Sequence, residues 1–182
     1  MNIVKKSLVA LAAAVVFAAQ VQATPVRDDR AFDTVAVQKE VRKRLVMIPN
    51  LSVFDNLAFS VQGGTVTLYG DVVKPWTRRD AEKRVAKVAG VTRVVNNIHV
   101  LPLSSFDDSI RVRTYRSIFR TGGLYRYALG TNPSIRIIVD RGRVRLEGVV
   151  SSRGDAQLAD FAARSVPGVF SVTNNLRIER EG

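Results

Sequence analysis

The sequence predicts an α+β protein made of two repeated αββαβ domains, each with its helices packed on one face of a small mixed sheet. Three observations lead there. First, the stretch Gly64-Thr-Val-Thr-Leu-Tyr-Gly70, followed by Gly90-Val-Thr-Arg-Val-Val-Asn-Asn97, recurs as Gly142-Arg-Val-Arg-Leu-Glu-Gly148, followed by Gly168-Val-Phe-Ser-Val-Thr-Asn-Asn175. Residues 64–100 slide by 78 positions onto 142–178 without a gap, with 12 identities in 37 pairs. Such a period fixes the organisation before any single element does. Second, each copy alternates apolar and polar residues in two runs around a glycine turn, then switches to helical spacing. Third, 46% hydrophobic and 24% charged residues is ordinary globular composition. Two units of this size are each near the limit of a self-sufficient core, so they are expected to depend on one another.

Met1 to Ala23 reads as a secretory signal peptide. Lys5 and Lys6 give the positive start, residues 8–19 are apolar but too few to span a bilayer of about 30 Å, and Val21-Gln-Ala23 is a small-x-small cleavage site. Cleavage would leave a formal charge of +10, two lysines fewer than the +12 of the whole chain. Export predicts a periplasmic protein and argues against nucleic acid as its partner. Residues 24–32 carry no periodicity and read as a loose leader.

The first domain is expected over residues 33–101. Asp33 is a candidate N-cap, and Val37, Val41 and Leu45 form one helical stripe, with Lys39, Arg42 and Lys43 on the solvent side. Pro49-Asn50 ends that helix. Leu57 to Val61 alternates as a strand, Gly63-Gly64 turns the chain, and Thr65 to Val72 returns. Val66, Leu68 and Gly70 share a face, and Gly70 marks a close approach or a bulge. Thr77 or Asp80 opens the second helix, buried through Ala81, Val85, Val88 and Ala89, with Gly90 at its C′ position. Val91 to Val100 closes the sheet.

The second domain is expected over 104–180, after a linker at 101–105. Asp107 or Asp108 caps a helix of about 109–119 in which Val112, Tyr115, Ile118 and Phe119 share an arc, and Arg113, Arg116 and Arg120 a neighbouring one. Thr121-Gly-Gly123 breaks it, and 124–129 adds a helical turn. Ser134 to Val139 and Arg143 to Val150 form a hairpin about Arg141-Gly142. Asp155 opens a helix buried through Ala159, Ala163 and Val166, Pro167-Gly168 ends it, and Val169 to Ile178 is the last strand. The repeats differ informatively at one place. Asp80 and Lys83 become Leu158 and Phe161, which with Ala162 make a second apolar arc. That arc is expected to be covered, by the other domain first, or by self-association or a membrane.

The pattern V-x-L-x-G, an alanine-lined helix, then G-V-x-x-V-x-N-x-[LIV] resembles the BON domain of bacterial osmotically inducible periplasmic proteins. It reads here as Val66-Thr-Leu-Tyr-Gly70, Ala81 and Gly90-Val-Thr-Arg-Val-Val-Asn-Asn-Ile98, then as Val144-Arg-Leu-Glu-Gly148, Ala159 and Gly168-Val-Phe-Ser-Val-Thr-Asn-Asn-Leu176. The resemblance covers nearly all of the chain after residue 32. It implies an αββαβ fold, a non-enzymatic part in the cell envelope under osmotic stress, and contact with phospholipid surfaces. In dual-BON envelope lipoproteins the second domain is the one implicated in contact with anionic lipid. This chain has no cysteine for lipid anchoring, so the resemblance implies a protein nearer the osmotically inducible type, binding membranes weakly and peripherally.

The residues themselves suggest no catalysis. There is no cysteine and a single histidine, His99 near a strand end, which reads as a surface or edge residue. Neither a metal nor a cofactor is expected. Gly64, Gly70, Gly90, Gly142, Gly148 and Gly168 read as structural turns, not as a phosphate loop. What remains is a basic surface carrying aromatics. The first candidate is Arg111, Arg113, Tyr115, Arg116, Phe119, Arg120, Tyr125, Arg126 and Tyr127, whose arginines suit phosphate and whose tyrosines suit the water–lipid boundary, unless those rings are core. The second is Trp76 in Lys74-Pro-Trp-Thr-Arg-Arg79, as an interfacial anchor or a lid on its own core. The third is Arg136, Arg141, Arg143 and Arg145 on the second hairpin, expected on an exposed sheet face. The expected partner is an anionic phospholipid surface. The alternative is an envelope protein, bound through the Leu158, Phe161 and Ala162 arc or through exposed sheet edges by an adaptor or a stress-protective chaperone without lipid preference.

Overall fold

In a computed structural model of the protein, the structure describes residues 34–130 and 132–179. The expected signal peptide, leader and Asp33 cap fall outside the described residues. Two αββαβ units follow one another, with both sheets three-stranded and mixed.

The first unit opens with α1 (Thr34–Val46), which buries Val37, Val41 and Leu45 at four-residue spacing. Strands β1 (Asn56–Gln62) and β2 (Thr65–Val72) pair antiparallel across the two-residue turn Gly63-Gly64. Then α2 (Pro75–Val85) crosses over, and β3 (Arg93–Val100) lies parallel to β2, with Val66 beside Val94. Helix α2 begins earlier than either Thr77 or Asp80, because Pro75 at its first position is already set to a helical φ and has no N–H to satisfy. Its buried residues are Thr77, Ala81 and Val85, with Val88 in the following turn, while Ala89 is exposed. Gly90 is therefore not the C′ residue. It sits in the turn closed by the Val91 N–H donating to Val88 O, 3.1 Å.

The second unit repeats this with α3 (Ser105–Arg120), a short 3-10 helix (Leu124–Ala128), β4 (Ile135–Asp140), β5 (Arg143–Val150), α4 (Arg153–Arg164) and β6 (Ser171–Ile178). Again β4 and β5 are antiparallel, and β5 and β6 parallel with Val144 beside Val172. Ser104 caps α3, its hydroxyl accepting from the Asp107 N–H, and Ser152 caps α4, accepting from the Asp155 N–H. Both helices thus start earlier than expected, α3 before the Asp107 or Asp108 cap and α4 before Asp155. Buried on α3 are Ile110, Thr114 and Ile118 with Asp107, Arg111 and Phe119, whereas Val112 and Tyr115 keep exposed surface.

Gly70 and Gly148 are irreplaceable for the same reason. They adopt φ of +117° and +123°, and a Cβ there would lie 2.0 Å from Asn56 O and 1.9 Å from Ser134 O respectively. In each case the carbonyl belongs to the paired strand of the same hairpin, at or just before its first residue, next to the residue in register with the glycine. At the second hairpin tip, a Cβ on Gly142 would lie 2.4 Å from the Phe170 ring.

The first core gathers α1, α2 and the inner sheet face around Val41, Leu68 and Val85. The second gathers Ile110, Ile137, Leu146 and Ala159, and takes in Val53 from the loop after α1. The repeats interlock there, with the Ile137 N–H donating to Val53 O, 2.9 Å, and Arg136 Nη1 to Ser52 O, 3.0 Å. Both belong to one compact unit.

Candidate functional site

The candidate surface is the solvent side of the helix layer in the second repeat. At about 100° per residue, positions 106, 109, 113, 116 and 120 of α3 fall within an arc of about 80°. That arc therefore carries Phe106, Ser109, Arg113, Arg116 and Arg120, all exposed. Among the described residues none of these three arginines has an ion-pair or hydrogen-bond partner.

Alongside runs α4. Ser117 Oγ donates to Ala162 O at 2.7 Å, and a Cβ on Gly122 would touch Leu158 at 3.2 Å. This places Ala162 in the seam between the helices, 2% exposed, and it is not available to a partner. Phe161 projects outward at 71% exposure and Leu158 is partly exposed. The first repeat does not cover this arc, contrary to the first expectation from sequence, because its contact with the second repeat runs through β4 and the loop before β1. An apolar row on α4 therefore adjoins a row of unneutralised arginines on α3.

One end of this layer carries a second apolar feature. Phe106 and Phe170 approach as a tilted ring pair, centroids 6.3 Å apart, and Phe170 is 75% exposed. Arg113 Nη2 and the Phe106 ring both lie against Gly168. Sequence reasoning left out both phenylalanines. Phe170 was recoverable, since it stands where the first repeat has Thr92.

Several candidates turn inward instead. Tyr127 is 7% exposed, and its hydroxyl donates to Asp155 Oδ2 at 2.8 Å while accepting from the Ser151 N–H at 2.8 Å. Arg126 lies over the Tyr127 ring and pairs with the same Asp155 oxygen at 2.7 Å. Burial alone would raise the Asp155 carboxyl. Hydrogen bonds from Ser152, Tyr127 and Arg126 outweigh it and hold the group below its ordinary value, and the Arg126 guanidinium is raised in turn by its bonds to Tyr127 and Asp155. These two residues lock the 3-10 helix onto α4 and are removed from the lipid-contact set. Arg111 is buried, donating to Val139 O at 2.7 Å and pairing with Asp108. Tyr115 is partly exposed and packs edge-on against Phe119 and Phe54.

The basic hairpin also shrinks. Arg145 is taken up by Asp71 of the first repeat and by Glu147, and Arg136 reaches Ser52 O, with burial pushing its guanidinium down. Both are ties between repeats because the outer side of β4 and β5 faces the first repeat. Arg141 and Arg143 stay exposed. Trp76 is 48% exposed beside the Lys74 ammonium, 5.3 Å from the ring centroid, so it is no lid on the core. It stands on the first repeat. His99 pairs with Asp71 at 3.2 Å. Among the described residues no group of three or more His, Asp or Glu could hold a metal ion, and no helix is long and apolar enough to cross a membrane.

The family model of the BON domain matches residues 33–102 and 126–180. The second match starts after α3, although α3 fills the place in its unit that α1 fills in the first. Two solved structures of CdsD, a structural protein of the type III secretion system of Chlamydia trachomatis, are similar at 9% identity. One, its C-terminal domain, has a TM-score of 0.34, covering 78% of this chain and 96% of that one. The other has a TM-score of 0.32, covering 79% and 92%. Comparison with curated proteins gives no match. With two matched segments spanning well over half of its length, each on a βαβ core that folds the same way, this chain belongs to the BON-domain family as a tandem member.

Proposed function

We propose that this protein is a non-enzymatic module of the cell envelope that binds anionic phospholipid surfaces through the helix layer of its second repeat. Membership of the BON family suggests an envelope-associated role. The observation that carries the lipid reading is the row of unpartnered Arg113, Arg116 and Arg120 beside exposed Phe161. Guanidinium groups bind phosphate bidentately, and an exposed aromatic among them enters the headgroup boundary. Each cation near an anionic leaflet contributes about 1 kcal/mol, so three of them give reversible, salt-sensitive attachment. The periplasm is the compartment this reading requires, and the expected signal peptide would supply it.

Co-sedimentation with vesicles of phosphatidylglycerol in phosphatidylcholine tests this. The wild type is expected to bind at low salt and to be released at high salt. Arg113→Glu with Arg116→Glu is expected to weaken binding at least about thirtyfold, the equivalent of losing two such contacts. Undiminished binding of that variant rejects α3 as the site. A second reading, a protein–protein adaptor, draws on the same Phe161, and predicts that Phe161→Ser has no effect on vesicle binding while abolishing capture of an envelope protein.

A further inference from the structure

A separate crevice lies between the two repeats, away from the helix layer. It encloses about 390 Å³ between α1 and β1 of the first repeat and the end of β6 in the second. Its apolar lining residues are Leu45, Val46, Leu57, Ala58 and Phe59, and its polar side chains are Gln38, Arg42 and Arg177, with polar atoms making up the larger share of the surface it exposes. Gln38 and Arg42 are one helical turn apart and share a side of α1. Among the described residues neither Arg42 nor Arg177 has a partner, and no carboxylate lines the crevice. Two like charges facing one crevice repel each other. An anion placed between them removes that repulsion and can accept paired hydrogen bonds from both guanidinium groups. A smaller hollow of about 80 Å³ shares Leu45, Val46 and Leu57 with it and is closed on its other side by the polar Asp55, Asn56 and Arg136.

We infer that this crevice is a binding site for a single-chain anionic amphiphile. Its carboxylate or phosphate head lies between Arg42 and Arg177, and its alkyl chain lies along Val46, Leu57 and Phe59. The volume is within the range of small-molecule sites, and too small for two acyl chains. Because one arginine comes from each repeat, occupancy joins them, and the ligand raises the melting temperature of the whole unit. This site is independent of the membrane face on α3 and α4.

Titration calorimetry of the full chain tests it with decanoate, decyl phosphate, 1-decanol and acetate, all kept monomeric. Saturable 1:1 binding is expected for decanoate or decyl phosphate, and the tighter of the two separates a fatty-acid source from a lysophospholipid-like one. Acetate and decanol are expected to bind at least about tenfold more weakly, each lacking one half of the recognition. Octanoate is expected to bind more weakly than decanoate, by at most about fourfold for each methylene removed from the crevice. Arg42→Gln with Arg177→Gln is expected to abolish binding while leaving the melting temperature of the unliganded protein unchanged, since neither side chain holds the fold. Arg113→Glu with Arg116→Glu is expected to leave decanoate binding intact, which separates this site from the membrane face. The inference is overturned if no amphiphile binds, if the Arg42/Arg177 variant binds as the wild type does, or if acetate equals decanoate. Ala58→Phe is a second variant that blocks the crevice sterically, and full decanoate binding by it also overturns the inference.

Discussion

At Asp155, three donors converge on one carboxylate oxygen: Tyr127, Ser152 and Arg126, at 2.7–2.8 Å. Those bonds keep its pKa below the ordinary 3.8. A carboxyl depressed by folding contributes stability that is fully present above its unfolded value and fades as pH falls through the lower folded value. Asp155→Asn is therefore expected to cost stability at neutral pH, and the gap to the wild type is expected to close below about pH 4, read by urea denaturation across pH. Tyr127→Phe leaves the Ser151 N–H without its acceptor and is expected to cost about 1–2 kcal/mol. The sequence shows a tyrosine next to an arginine, which suits an interface and a core alike. Only the position of Asp155, 28 residues away, decides between them. Gly148 is the opposite case, readable from its repetition as Gly70. Gly148→Ala forces a Cβ onto Ser134 O at a left-handed φ, and is expected to cost about 2–4 kcal/mol in thermal or denaturant unfolding.

Helix α3 shows how much of an element's role is local and how much is set by its neighbours. Its basic arc was visible from spacing alone, because Arg113, Arg116 and Arg120 repeat every three or four residues. Its buried side was only half legible: Ile118 and Phe119 are buried as the arc predicts, but Val112 and Tyr115 keep exposed surface, and the polar Asp107, Arg111 and Thr114 are buried in their place. Asp107 accepts from the Arg141 N–H at 2.9 Å and from the Gly142 N–H at 2.8 Å, so a carboxylate from the first turn of the helix clamps the hairpin tip. No periodicity of hydrophobic residues reports such a bond. Asp107→Ala orphans two turn amides and is expected to destabilise the protein by about 2–3 kcal/mol, with faster amide exchange at 141 and 142 as its local signature. The beginnings of α3 and α4 were misread for a related reason. Serine caps lie three residues before the acidic residues, which belong to the first turn and complement the helix dipole.

In the whole molecule, duplication was the legible part and docking was not. The copied motif fixes both sheets and the parallel partner of each hairpin. Nothing in it foretells that Val53, from the first repeat's loop, enters the second core, or that Arg145 pairs across to Asp71. Val53→Ala is expected to destabilise the second repeat by about 2 kcal/mol, seen as loss of amide protection at Ile137 before any loss in the first sheet. Docking also explains why the hairpin arginines gave way to the α3 row as the free basic surface: the same contact that ties β4 and β5 to the first repeat leaves the helix layer facing out. The absence of cysteine from the chain makes the most direct measurement simple. A polarity-sensitive dye on Gln157→Cys, beside Phe161 on the outer face of α4, is compared with the same dye on Lys39→Cys of α1 as anionic vesicles are added. The membrane face proposed here requires a blue shift at 157, reversed by salt, with none at 39. A shift at 39 alone, or at neither position while the protein sediments with the vesicles, would contradict it.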